Sequence, residues 1–127
     1  MSATLQLPRN TTRQAEGYVT GRVARSLNRW SGMIIVAFVL VHVIAEAIRH
    51  LPALAATNAA MPWLPTLQNQ PWIHALLYAA IVFHTLYGLK LLAGDLGVRL
   101  PYRESLWIII AVASLTALRE LLRYAGL

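Results

Sequence analysis

Three apolar segments dominate the sequence, at about 31–48, 73–93 and 106–122. Each approaches the roughly 20 residues that an α-helix needs to cross a hydrocarbon core. A backbone in hydrocarbon must satisfy its own polar groups, so the chain is predicted to be all-α, with three transmembrane helices. The third segment carries Arg119 and Glu120 near its end, where they are expected to be interfacial or to snorkel. Between the first two segments, Pro52, Pro62, Pro65 and Pro71 require a connection that is non-helical in places.

Composition agrees. Of 127 residues, 57% are hydrophobic and only 13% charged, which leaves too little polar material to coat a soluble domain of this size. Cysteine is absent, so this chain supplies no disulfide, iron–sulfur ligand or thiol nucleophile. The net charge of +6 lies outside the apolar runs, with no aromatic interleaving on a soluble face. It reads as topology information rather than as a nucleic-acid site. The polar start, with Arg9 and Arg13, has no apolar core and so is not a secretory signal; an organellar presequence is the alternative. No repeat, phosphate loop or nucleophile–base pair is present, so catalysis by this chain alone is not expected.

Charge also predicts orientation. Arginines 9, 13, 22, 25 and 29 precede the first span, and Lys90, Arg99 and Arg103 flank the second connection. The connection at 51–72 has no Lys or Arg. The polar segment 1–30 is therefore placed inside and the C-terminus outside, against the mild dissent of Arg119 and Arg123. Trp63, Trp72, Tyr102 and Trp107 suit interfacial belts. One membrane domain over 1–127 is expected, forming part of a larger helical bundle.

Two histidines lie deep in these spans. His42 is about 20 Å along the helix from Arg29, and His84 about 16 Å from Asp95. An intramembrane imidazole needs a partner and points to function. Imidazole is the usual axial ligand of a b-type haem; a hydrogen bond to a neighbouring helix is the competing explanation. Gly88, one turn after His84, offers room for a flat macrocycle or another helix, as do Ser31 and Gly32 in span one.

Other polar residues admit weaker roles. His42, Glu46 and His50 share one helical face, but the row rises about 12 Å, too far for one metal ion. Arg49 is a candidate partner for a haem propionate. His74 is read as interfacial. Arg29 and Asp95 mark the inner ends of spans one and two, as anchors or as part of a quinone pocket in which a cation polarises a carbonyl. Tyr87 and Trp30 could wall such a pocket or simply pack.

Taken together, these residues resemble the cytochrome b membrane-anchor subunits of succinate dehydrogenase and fumarate reductase. One family signature is His-Arg-x-Ser/Thr-Gly, which here reads Asn28-Arg29-Trp30-Ser31-Gly32. The other is a haem-ligating His, then x3-Gly-x-Arg, then Asp-x-Gly; here the positions are His84, Gly88, Lys90, Asp95 and Gly97. The resemblance covers all three spans and is most specific from Phe83 to Gly97. Asn28 stands for the family's His, Lys90 for its Arg and Leu91 for its usual His or Phe. The quinone-pocket Ser would fall at Arg25, one place from Ser26.

The resemblance implies half of a haem-binding bundle, completed by a second small anchor subunit. An iron–sulfur subunit and a flavoprotein would dock at the inner face of a prokaryotic cytoplasmic membrane, in preference to the mitochondrial inner membrane. Electrons from succinate would pass through iron–sulfur clusters to quinone. His84 would be an axial ligand, and His42 would match the helix-one ligand of the two-haem branch. One or two b haems are implied, with Arg29 in the quinone pocket and Ser31, Gly88 and Arg49 among the cofactor-binding residues. A haem-free docking anchor and a fumarate reductase anchor running the reverse reaction remain as alternatives, as does a small metal-handling protein built on His42, Glu46 and His50.

Overall fold

A computed structural model describes residues 10–98 and 100–126, with side chains from Thr20 onward. Arg9 and Arg99 lie outside the described residues, as does the side chain of Arg13. The described chain is helical with no strand: α1 (Asn10–His50), a 3-10 turn (Pro52–Leu54), α2 (Ala55–Ala60), α3 (Trp63–Gln68), α4 (Pro71–Asp95) and α5 (Tyr102–Tyr124). Stretches of α1, α4 and α5 are long and apolar enough to cross a membrane: Thr20–His50, Pro71–Asp95 and Tyr102–Tyr124.

Proline sets the boundaries. No proline falls between Pro8 and Pro52, and α1 runs unbroken for 41 residues, about 60 Å. The expected polar segment 1–30 is thus, from Asn10, an extension of the first spanning helix, and Arg29 lies within that helix rather than at its end. Pro71 occupies the first turn of α4, where its missing N–H costs no helical bond. At the other end of α4, Gly97 has φ +85°. Its N–H bonds the Gly94 carbonyl at 3.0 Å, and the Val98 N–H bonds the Ala93 carbonyl at 2.9 Å. These two bonds form a Schellman cap, so the Asp95-x-Gly97 motif acts here as a helix stop.

Helix α4 packs against α5 along one side and α1 along another. The core is small: Ala24 of α1, Phe83 and Tyr87 of α4, and Leu106, Ile109 and Ala113 of α5. Its spacings of three and four place each set on one helical face. Ala45, Ala75 and Ala80 are also buried, in keeping with close helix approach through small residues. Tyr87 is 1% exposed and its hydroxyl meets that of Tyr102 at 3.3 Å. Lys90 Nζ lies 3.8 Å from the Tyr102 ring centroid, a cation–π contact that ties the end of α4 to the start of α5. Tyr87 is therefore a core residue, whereas Trp30 is exposed.

Most large apolar side chains face outward. Along α1, Met33, Val36, Val39, Leu40, Val43 and Ile44 are each at least half exposed. A surface of this kind has no place in water and needs hydrocarbon or protein against it.

Candidate functional site

The site is built where α1 and α4 meet. Asn28, Ser31 and Gly32 lie on one face of α1, at spacings of three and four residues. His84 of α4 inserts against that face. Its Nδ1 lies 3.0 Å from the Asn28 carbonyl oxygen and 3.3 Å from Ser31 Oγ. A carbonyl can only accept, so the proton of His84 sits on Nδ1. Ser31, itself buried, donates to the same Asn28 carbonyl at 2.9 Å.

Gly32 makes this approach possible. A Cβ at position 32 would sit 3.0 Å from His84 Cε1 and 3.3 Å from Nδ1. The imidazole thus lies almost on the α1 backbone, held at one nitrogen. Its Nε2 has no hydrogen-bond partner among the described residues. The Ser31-Gly32 pair and His84, 52 residues apart between Gly32 and His84 in sequence, form one unit.

Gly88 is different. Nothing lies within 4 Å of where its Cβ would be. The room at Gly88 is not used by any of the described residues.

His42 occupies a second level. It lies ten residues beyond Gly32 on α1, about 15 Å along the axis. Its ring stacks on Phe38 at 5.8 Å, and its Nδ1 faces Oε1 of Gln68 at 3.3 Å. Gln68 belongs to α3, in the connection between the first two spans, and is 7% exposed. Its Nε2 is buried without a partner. Nothing in the sequence marks Gln68, because the path of the connection brings it to His42. Like His84, His42 is held at Nδ1, and its Nε2 has no partner among the described residues.

The row His42, Glu46 and His50 does not converge. Glu46 pairs with His50 Nε2 at 2.9 Å and with Arg49 Nη1 at 3.8 Å, while His42 turns to Gln68. No group of three or more metal-ligating side chains occurs among the described residues. Arg49 is exposed and is engaged by Glu46 within this chain. Arg29 is exposed and makes no ion pair among the described residues; Ser26 is also exposed.

His74 and Glu120 make contacts that their interfacial reading does not specify. Tyr124 of α5 meets His74 Nδ1 at 2.8 Å, with the two rings stacked at 5.7 Å. Glu120 turns inward and is 8% exposed, whereas Arg119 stays on the surface. Cross-helix pairs of this kind leave no periodic signal in the sequence.

No match to this chain is found among known protein families, curated proteins or solved structures. The three long apolar helices are consistent with a membrane protein, and two of them each carry one of the histidine levels.

Proposed function

We propose that the chain is a membrane-anchor cytochrome b subunit of a succinate:quinone oxidoreductase, in which His84 and His42 each ligate a different b haem. One observation carries this reading. Both intramembrane imidazoles are held through Nδ1 by an oxygen, the Asn28 carbonyl for His84 and Gln68 Oε1 for His42. Metal-bound histidines are oriented in this way, with the second ring nitrogen fixing the tautomer and the ring plane. The Nε2 lone pair is then available to iron.

The donor set fits such a group. With metal–imidazole bonds of about 2 Å, ligands some 15 Å apart along one helix cannot share an iron. Each level would therefore hold its own haem, and a second small anchor subunit would complete both sites. The open space at Gly88, one turn from His84, suits a flat macrocycle lying against α4. Bound b haem supplies one-electron transfer between the iron–sulfur subunit and quinone. This chain's contribution is to orient the two imidazoles and keep their surroundings apolar. Ser31, committed to Asn28 and His84, supports the ligand. Arg29, exposed beside it, is the candidate for a quinone carbonyl or for the docked iron–sulfur and flavoprotein subunits. The N-terminal arginines support a reading with the N-terminus on the inner side of a prokaryotic cytoplasmic membrane.

The test is a reduced-minus-oxidised spectrum with haem quantitation on the intact complex, comparing wild type with His42→Ala and His84→Ala. Two haems, with one lost in each variant, is the expected result. Loss from His84→Ala alone would make this a one-haem anchor with His42 as a packing residue. A wild-type complex with no haem would refute the mechanism, leaving His84 as a helix–helix hydrogen bond in a docking subunit.

A further inference from the structure

A polar cavity of about 320 Å³ opens at the end of the bundle where α4 begins and α5 ends. It is lined by His74, Tyr78, Glu120, Arg123 and Tyr124, with no aliphatic wall. These residues lie within the first two turns of α4 and the last two turns of α5, at the ends of two spanning helices. That is the depth of the lipid headgroups.

Glu120 is the unusual member. It is 8% exposed, yet its nearest ionic partner among the described residues is Arg123 Nη1 at 3.9 Å. No hydrogen bond from the described residues reaches its carboxylate, whose oxygens keep access to the cavity. Arg123 is itself mostly exposed and lines the cavity. The Tyr124 hydroxyl and His74 are already paired with each other at 2.8 Å, so the cavity wall is fixed. The site therefore presents a carboxylate that faces the cavity without a hydrogen-bond donor from the described residues and, beside it, an exposed cation.

We propose that this cavity binds the headgroup of a zwitterionic phospholipid carrying a primary ammonium, of the phosphatidylethanolamine type. The ammonium enters toward Glu120 and supplies its missing donors, and the phosphodiester lies against Arg123 with the Tyr78 hydroxyl in reach of the cavity. An ethylene linker joins two opposite charges in the lipid, as the cavity juxtaposes two opposite charges in the protein. A wholly anionic headgroup would meet Glu120 unfavourably. A quaternary ammonium would bring the charge but no N–H. The acyl chains would extend along the exposed apolar faces of α4 and α5.

The experiment uses the full chain with whatever subunits accompany it from the membrane, delipidated in detergent. Phosphatidylethanolamine, phosphatidylcholine, phosphatidylglycerol and soluble phosphoethanolamine are titrated in turn, and binding is read by native mass spectrometry. We expect phosphatidylethanolamine to bind at least tenfold more tightly than either other lipid. Successive N-methylation should weaken it stepwise. Glu120→Gln should lower phosphatidylethanolamine to the phosphatidylcholine level while leaving phosphatidylglycerol unchanged, and Arg123→Gln should weaken all three lipids. Equal binding of the ethanolamine and choline lipids by wild type would overturn the proposal. So would tightest binding of phosphatidylglycerol, soluble phosphoethanolamine binding as tightly as the lipid, or competition by a quinone analogue in place of lipid. Should Glu120→Gln fail to fold, the methylation series on wild type decides alone.

Discussion

Replacing Gly32 by alanine puts the central contact between α1 and α4 to a direct test. The new Cβ would lie 3.0 Å from His84 Cε1 and 3.3 Å from Nδ1. Carbon atoms settle at about 3.5–4.0 Å, so the ring must retreat by roughly 0.5–1 Å. Its Nδ1 bond to the Asn28 carbonyl, 3.0 Å in the native chain, then passes beyond hydrogen-bond range. Overpacking costs about 1–3 kcal/mol, and the lost bond about 0.5–1.5 kcal/mol. Against this, Gly→Ala inside a helix gains about 1 kcal/mol. The net change in wild type is a destabilisation of about 0.5–3.5 kcal/mol. In a His84→Ala background the clash is absent, and the same substitution should stabilise by about 1 kcal/mol. Unfolding of the full chain in detergent, followed by circular dichroism for all four members of the cycle, measures the coupling. Gly32→Ala shifting stability equally in both backgrounds would refute the seating of His84 on the α1 backbone.

Three other substitutions probe separate features. Gly88→Leu puts its Cβ in open space inside a helix, so the chain alone should gain up to about 1 kcal/mol of stability, while haem content of the complex falls sharply. Gln68→Leu removes the acceptor from His42 Nδ1 and should shift the potential and reduced spectrum of one haem only, with about a 10–100-fold loss of haem affinity. Gln68→Glu, which keeps an acceptor oxygen, should restore that haem's binding; titration of haem into the apo-complex distinguishes the two. Gly97→Ala forces an alanine to φ +85° and should cost about 1–2 kcal/mol, with faster amide exchange over the last turn of α4.

Much of the architecture was legible because span formation is a local property. Apolar runs of sufficient length become helices in hydrocarbon whatever their neighbours, and proline and Gly97 mark where they stop. The extension of α1 back to Asn10 was also readable, had the absence of proline between Pro8 and Pro52 been weighed above polarity. The site was legible only in pieces. Ser31, Gly32 and His84 each stood out by type and depth, but no sequence period relates α1 to α4. Gln68 and the His74–Tyr124–Glu120 cavity carried no signal at all.

The sequence by itself determined that three apolar helices form, and that two histidines lie far from the ends of the apolar runs, because both follow from hydropathy and the 1.5 Å rise per residue. Tertiary structure decided how each imidazole is used. His84 rests on Gly32 with Nδ1 on Asn28, His42 turns from Glu46 to Gln68, and Glu120 turns inward beneath Arg123. Those choices depend on helix rotation and on the course of the connection between α1 and α4. Both are set by which small residues let the helices approach and which buried polar groups find partners, and neither is encoded in a single segment.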